Sequence, residues 1–182
     1  MLRARPAPHC GTIVVTNVGV YGILGTVRDA RAAEGLRFAV DWGVLKTVGR
    51  HSAVGLTVLA SEDADGAMIG PAFHYRHWSA DERSSVEVAV GMSTSQAGRG
   101  RAATRFGMLK LSPTPAVGVT VRPEWRRSNE YSCLQYQSPC TYSTRGWFAV
   151  SIGIELSGPA GLIGTLPGLL AMALHQLVNI DD

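Results

Sequence analysis

The chain has 182 residues, of which 46% are hydrophobic and 17% are charged, and its formal net charge is +3. This length suits one domain. The basic excess is too small to indicate nucleic-acid binding, because the arginines are spread along the chain with no basic helix and no aromatic stacking motif beside them. The composition therefore predicts a protein without a nucleic-acid partner.

Runs of about ten residues recur in which large apolar residues alternate with small, polar or charged ones. In the last run one face carries Phe148, Val150, Ile152, Ile154 and Leu156, and the other carries Ala149, Ser151, Gly153 and Glu155. A soluble barrel would point its bulky apolar side chains inward and cover its outside with polar ones. Here the second face is too small to build a dry core, and the pattern is typical of a barrel in lipid. A soluble β-sandwich is the competing interpretation.

Eight such segments are predicted as strands, and each approaches the ~9 to 11 residues that a tilted strand needs to cross a membrane. They cover residues 12–22, 36–45, 52–60, 68–78, 84–93, 104–111, 117–126 and 145–156. Residues 1–11 are interpreted as a leader remnant or an irregular N-terminus, residues 12–156 as the barrel, and residues 157–182 as an apolar tail. A complete secretory signal peptide is not visible in residues 1–11.

The predicted connections alternate between short and long. The short ones are residues 46–51, 79–83 and 112–115, and the longer ones are residues 23–35, 61–67, 94–103 and 127–144. Outer-membrane barrels show this asymmetry, with short turns on the periplasmic side and long loops outside.

These strands and connections resemble the small eight-stranded outer-membrane barrels of bacteria, the OmpA-like and OmpX-like group, over about residues 12–156. The resemblance implies an all-β, antiparallel, up-and-down transmembrane barrel in the outer membrane that contacts lipid and has a structural or surface-interaction role. Such barrels commonly end on a strand with a terminal aromatic residue, whereas here Leu156 is followed by the tail. The oligomeric state is left open.

Charged residues on the small-residue faces are expected to project into the lumen and to pair there, because an isolated buried charge is very costly. The predicted lumen network consists of Arg37, Asp41, His74, Arg76, Glu87, Arg122, Glu124, Arg126 and Glu155. A polar pore or a gate of switching ion pairs is one interpretation. A structural polar core is favoured, because side chains alone can fill the lumen of an eight-stranded barrel.

One alternative function is acyl hydrolysis. His77 and Ser79 lie two residues apart, so they would share a face of an extended strand, and Glu87 or Glu82 would orient the histidine. Barrel-shaped lipid A deacylases are similar, since they carry a His-x-Ser pattern with a nearby glutamate. The short turn after Trp78 would place this pair on the periplasmic side, away from outer-leaflet lipid A, so an enzyme is not favoured. A soluble barrel that binds an apolar ligand is the third hypothesis.

Cys133 and Cys140 fall in the polar segment 127–144, where they would form a disulfide in an oxidising compartment or remain two unrelated thiols. No metal cluster or cofactor motif is visible, so neither is predicted. Residues 98–101 are expected to form a flexible basic loop tip, a place for lipopolysaccharide phosphates to bind.

The apolar tail is expected to form a short helix on the periplasmic rim or in the membrane interface. Pro167 would open that helix, because proline is tolerated in the first helical turn. A plug inside the barrel is disfavoured because side chains already fill an eight-stranded lumen.

Overall fold

The computed structural model describes residues 11–26, 35–63, 66–95, 100–134 and 137–165. Each neighbouring strand pair is antiparallel, and β1 also pairs with β8, so the sheet is a closed barrel. This confirms the predicted eight-stranded antiparallel barrel. The strands are β1 (Thr12–Thr26), β2 (Leu36–Thr47), β3 (Ser52–Asp63), β4 (Gly66–Trp78), β5 (Ser85–Ser95), β6 (Gly100–Ser112), β7 (Val117–Leu134) and β8 (Gln137–Ser157).

The register of the eight pairs sets the stagger of the barrel. A path that starts at Thr12 and moves from each residue to its partner on the next strand returns to β1 at Gly22, ten residues further along that strand. The path passes through Lys46, Val54, Tyr75, Val88, Leu109, Val121 and Ile152. A stagger of this size tilts the strands by about 40° from the barrel axis. It also leaves the first residues of β1 without a partner on β8, whose pairing with β1 begins at Asn17.

The strands extend well beyond the predicted boundaries at the end opposite the short turns. β7 and β8 continue as a hairpin to Leu134 and from Gln137, with Ser132 paired to Thr141. The expectation of a long loop over residues 127–144 was therefore wrong. Backbone hydrogen bonds can pair two strands even where the sequence shows no apolar alternation. Threonine and tyrosine also favour extended backbone.

Side chains alternate across the barrel wall as the sequence pattern predicts. On β8, Ala149, Ser151 and Glu155 are buried inside, whereas Ile152 and Ile154 are 40% and 60% exposed on the outside. On β6 the inner residues include Phe106 and Met108, and the outer ones include Leu109 and Leu111. Two large apolar side chains of β6 thus fill the lumen.

The interior is layered along the barrel axis. A lower apolar cluster near the short turns contains Ile13, Val15, Leu45, Ala53 and Trp78. An upper apolar cluster contains Tyr21, Ala39, Leu59, Ala72 and Phe106. The two rings of the upper cluster lie over glycines on the paired strands, Tyr21 over Gly153 and Phe106 over Gly91.

A short helix, residues 159–165, follows β8 and packs on the outside of the barrel against β1. The Thr16 hydroxyl donates a hydrogen bond to the Gly158 carbonyl at 2.8 Å. A Cβ on Gly161 would lie only 2.0 Å from the Thr16 carbonyl oxygen, so only glycine permits this approach. This stretch of the tail therefore lies on the barrel wall, neither at the rim nor inside. Pro167 lies outside the described residues.

Candidate functional site

The structure places all nine charged residues of the predicted lumen network inside the barrel, where each is buried. They separate into clusters at different heights. Along β2, Asp41 lies between Leu45 of the lower apolar cluster and Ala39 of the upper one. Along β4, His74 lies between Trp78 of the lower cluster and Ala72 of the upper one. A polar layer thus lies between the two apolar clusters.

His74 is the centre of this middle layer. Its Nδ1 lies 2.5 Å from Oε1 of Glu87, and its Nε2 lies 2.8 Å from the Thr57 hydroxyl and 3.4 Å from Oδ2 of Asp41. The other oxygen of Glu87 accepts from Nε of Arg76 at 2.7 Å and lies 2.6 Å from its Nη2. Four strands, β2 to β5, are therefore joined through one imidazole.

A second pair of charges completes the middle layer. Nζ of Lys110 lies 2.6 Å from Oε2 of Glu155 and donates to the Ser157 hydroxyl at 2.7 Å. The Tyr21 hydroxyl donates to the other oxygen of Glu155. Lys110 and Tyr21 were not among the predicted lumen residues. The alternation of β6 was the available signal for Lys110, because Lys110 lies on the same strand face as Phe106 and Met108. Those two large apolar residues lie on the face that holds small or polar residues in most other strands.

Glu124 is the centre of an upper cluster that contains three arginines. Its Oε1 accepts from Arg37 and lies 2.9 Å from Nε of Arg122, while its Oε2 accepts from Nε of Arg126 at 3.2 Å. The guanidinium of Arg122 also stacks on the ring of Phe106, 4.2 Å from its centre. Glu124 thereby ties β2 to β7, and Arg122 links this cluster to the upper apolar cluster.

This arrangement suits a solid core better than a conducting pore. Two apolar clusters interrupt the charged layers along the axis, and the carboxylates of Glu87, Glu124 and Glu155 are each bound by a buried cation. Buried charges held in this way fix the register of the wall, because any slip would separate them.

The outer wall carries the complementary feature, a band of exposed apolar side chains that we call the apolar belt. It contains Val14, Val20, Trp42, Val44, Leu56, Val58, Ile69, Phe73, Val86, Val88, Val90, Met92, Leu109, Leu111, Val119, Val121, Ile152 and Ile154. All eight strands contribute. An outer run such as 148–156 on β8 rises roughly 20 Å along the axis at this tilt.

Polar residues mark both edges of the apolar belt. At the short-turn edge, Lys46 is exposed and the Ser52 hydroxyl lies 2.9 Å from Nδ1 of His77. At the opposite edge, the outward residues include Thr94, Arg105 and Arg127, all exposed. Polar side chains are thus present at both edges of the belt, and Leu24, Leu36 and Val48 are exposed apolar residues beyond those edges.

The alternative catalytic residues do not come together. His77 is exposed on the outer wall beside Ser52, whereas Glu87 is buried in the lumen with His74 and Arg76. The Ser79 hydroxyl lies in the turn beyond β4 and donates to Asp81. The expected shared face fails because β4 ends at Trp78, and strand alternation separates His77 from Glu87.

The disulfide between Cys133 and Cys140 stays a prediction, since both side chains lie outside the described residues. Their backbones follow directly on the Ser132–Thr141 pair of the β7–β8 hairpin, where the register then shifts. In the described ranges, no group of three or more His, Cys, Asp or Glu side chains is placed to hold a metal ion. No helix within those ranges is long and apolar enough to cross a membrane.

The chain matches no protein-family model, no curated protein and no solved structure.

Proposed function

We propose that this chain is an integral outer-membrane β-barrel protein with a structural or surface-interaction role. The observation that carries the proposal is the apolar belt. Soluble monomers rarely expose a contiguous apolar patch larger than a few hundred Å², whereas here exposed valine, leucine and isoleucine side chains surround the barrel on all eight strands. A hydrocarbon environment removes the cost of that exposure.

Closure of the sheet supports the same proposal. In lipid every backbone N–H and C=O must find a partner within the protein, and a closed barrel provides one along the paired part of each strand. The pairing of β1 with β8 closes the ring. The belt height of roughly 20 Å approaches the ~25 Å apolar band of such barrels, and the bacterial outer membrane is thinner than average.

The proposed role follows from what lies outside the belt. The β7–β8 hairpin continues beyond Arg127 to Leu134 and Gln137, away from the short turns. In the orientation of the OmpA-like and OmpX-like barrels this hairpin stands on the cell surface, where it is free to contact other molecules. The charged interior supplies rigidity rather than a pathway.

Both alternative functions fit the described residues less well. An acyl hydrolase of the deacylase type needs its serine, histidine and acid together, and His77, Ser79 and Glu87 lie in three different surroundings. A soluble barrel for an apolar ligand needs an apolar cavity, and this interior is filled by charged side chains such as Arg37, Lys110 and Glu124.

Refolding from urea into phosphatidylcholine vesicles tests the proposal. We expect the protein to float with the vesicles, to resist proteolysis along its strands, and to migrate differently on unheated and heated detergent gels. A chain that stays folded, monomeric and vesicle-free in buffer would disprove the proposal.

A further inference from the structure

Two arginines lie on the outer wall at the edge of the apolar belt that is far from the short turns. Arg105 on β6 and Arg127 on β7 are both exposed, and Trp125, exposed to 56%, is on the same outer face of β7. An arginine on a lipid-facing wall costs little near the interface and much at mid-depth. Their position at the belt edge therefore matches a phosphate-bearing interface.

The register places these side chains next to one another. Arg105 pairs directly with Trp125, and Arg127 pairs with Ala103, so the two arginines are diagonal neighbours on adjacent strands. Diagonal neighbours of this kind lie within reach of long side chains. Two guanidinium groups can thus converge on one anion.

Among the residues whose side chains are described, no acidic one faces this pair across the flanking strands. On β5, Met92 pairs with Arg105, and on β8, Gly146 pairs with Arg127. Among the described residues neither arginine makes an ion pair with a carboxylate. Every arginine of the lumen clusters, by contrast, has Glu87 or Glu124 beside it.

An aromatic platform lies beside the pair. The rings of Trp125 and Phe148 are 6.3 Å apart and tilted by 53°. Tryptophan at this depth anchors a barrel at the membrane interface. The patch therefore places an aromatic surface that can contact acyl chains beside two positively charged side chains, one of them on the adjacent strand.

We propose that Arg105 and Arg127, with Trp125, form a binding site for the phosphates of lipid A in the outer leaflet. The site rests on the proposed function, because it needs the belt to lie in a bilayer. Each guanidinium donates two N–H groups to a phosphate, a geometry that arginine suits better than lysine. The indole packs along the first methylenes of the acyl chains.

The test is a titration of detergent-solubilised full-length protein with lipid A, followed by native mass spectrometry, with phosphatidylcholine as the zwitterionic reference. We expect preferential binding of lipid A. Replacing both arginines by glutamine (R105Q with R127Q) should weaken it about twenty-five-fold, since each interfacial arginine contributes roughly a fivefold factor. The matched control replaces Lys46 and Arg50, exposed at the other end of the barrel, and should bind as wild type.

The failures of this inference and of the proposed function are distinguishable. A protein that does not insert into phosphatidylcholine vesicles contradicts the membrane assignment itself. A protein that inserts but binds lipid A equally well in both double variants contradicts only the site. Displacement of lipid A by an equal concentration of inorganic phosphate would also overturn it, because the site would then recognise a free anion.

Discussion

Nδ1 of His74 lies 2.5 Å from Oε1 of Glu87 on the neighbouring strand, inside the barrel wall. The direct partner of Glu87 is Arg76, so the carboxylate is shared between a paired and a diagonal neighbour. Because Glu87 is 1% exposed, its carboxylate is held by these two side chains rather than by bulk water.

Replacing Glu87 by glutamine should destabilise the barrel by about 3 to 5 kcal/mol, since it leaves Arg76 buried without its anion. Urea unfolding in vesicles, followed by tryptophan fluorescence, measures the loss. The double variant E87L with R76M removes both charges and should recover much of the stability. If the double variant is no better than the single one, the ion pair is not the source of the loss.

The depth of the apolar belt is tested on one face of one strand. Val90 is central and exposed on β5, and Thr94 is exposed four residues further on, at the belt edge. V90R should cost about 2 to 4 kcal/mol in bilayers, and T94R about 0 to 1 kcal/mol. Equal folding free energies for the two variants in vesicles would contradict insertion at this depth.

The contact between the helix 159–165 and β1 depends on Gly161. Alanine there would bring a Cβ to within 2.0 Å of the Thr16 carbonyl, whereas a Cβ on Gly164 would meet Val18 at an ordinary 3.6 Å. G161A should therefore cost about 1 to 3 kcal/mol and increase proteolysis after Ser157. G164A should be neutral in both measurements. The same loss in both variants would show that the helix does not pack closely here.

The turn between β4 and β5 supplies a pH-dependent contribution. A hydrogen bond from the Ser79 hydroxyl, and then one from the Arg83 amide at 3.2 Å, hold the pKa of the Asp81 carboxyl below its usual value. Stability from this group is present above the pKa of the unfolded chain and is lost as the pH falls through the folded value. Wild type should exceed D81N in urea midpoint at neutral pH, and the two should converge in acid. A constant difference across that range would exclude this cause.

The cysteine pair stays open to direct measurement. In protein exported to an oxidising compartment we expect peptide mass spectrometry without reduction to find Cys133 linked to Cys140. Reduction should loosen the end of the β7–β8 hairpin and leave the barrel folded. Two free thiols in such protein would refute the link.

Alternation alone was enough to predict the eight strands, the inward and outward faces of most of them and nine of the buried charged residues, because the period of two is fixed by the backbone. The partner of each charge was not predictable, since it depends on the register around the closed wall. Glu124 meets Arg37 only because β2 and β7 face each other across the lumen. Lys110 was missed because Phe106 and Met108 obscured the face to which it belongs.

The positions of the strand ends and of the helix 159–165 also could not be predicted from the alternation of side chains. A ladder continues wherever backbone groups still face each other, whatever the side chains, so the extension of β7 to Leu134 had no hydrophobic signal. The glycines at 158, 161 and 164 gave no sign of which strand they would meet. The stagger of the closed barrel leaves the first residues of β1 unpaired with β8, and the segment that carries these glycines packs there.

The hydrogen bond between Thr16 and Gly158 joins residues 142 positions apart in the chain. Bringing such distant residues together is slow, because the entropy of closing the loop is lost before the contact repays it. We expect the helix to dock only once β1 and β8 have met, which makes its docking a late event of folding. A fluorophore pair on Thr12 and Leu162 would therefore report completion of the ring, with a time course that trails the appearance of strands.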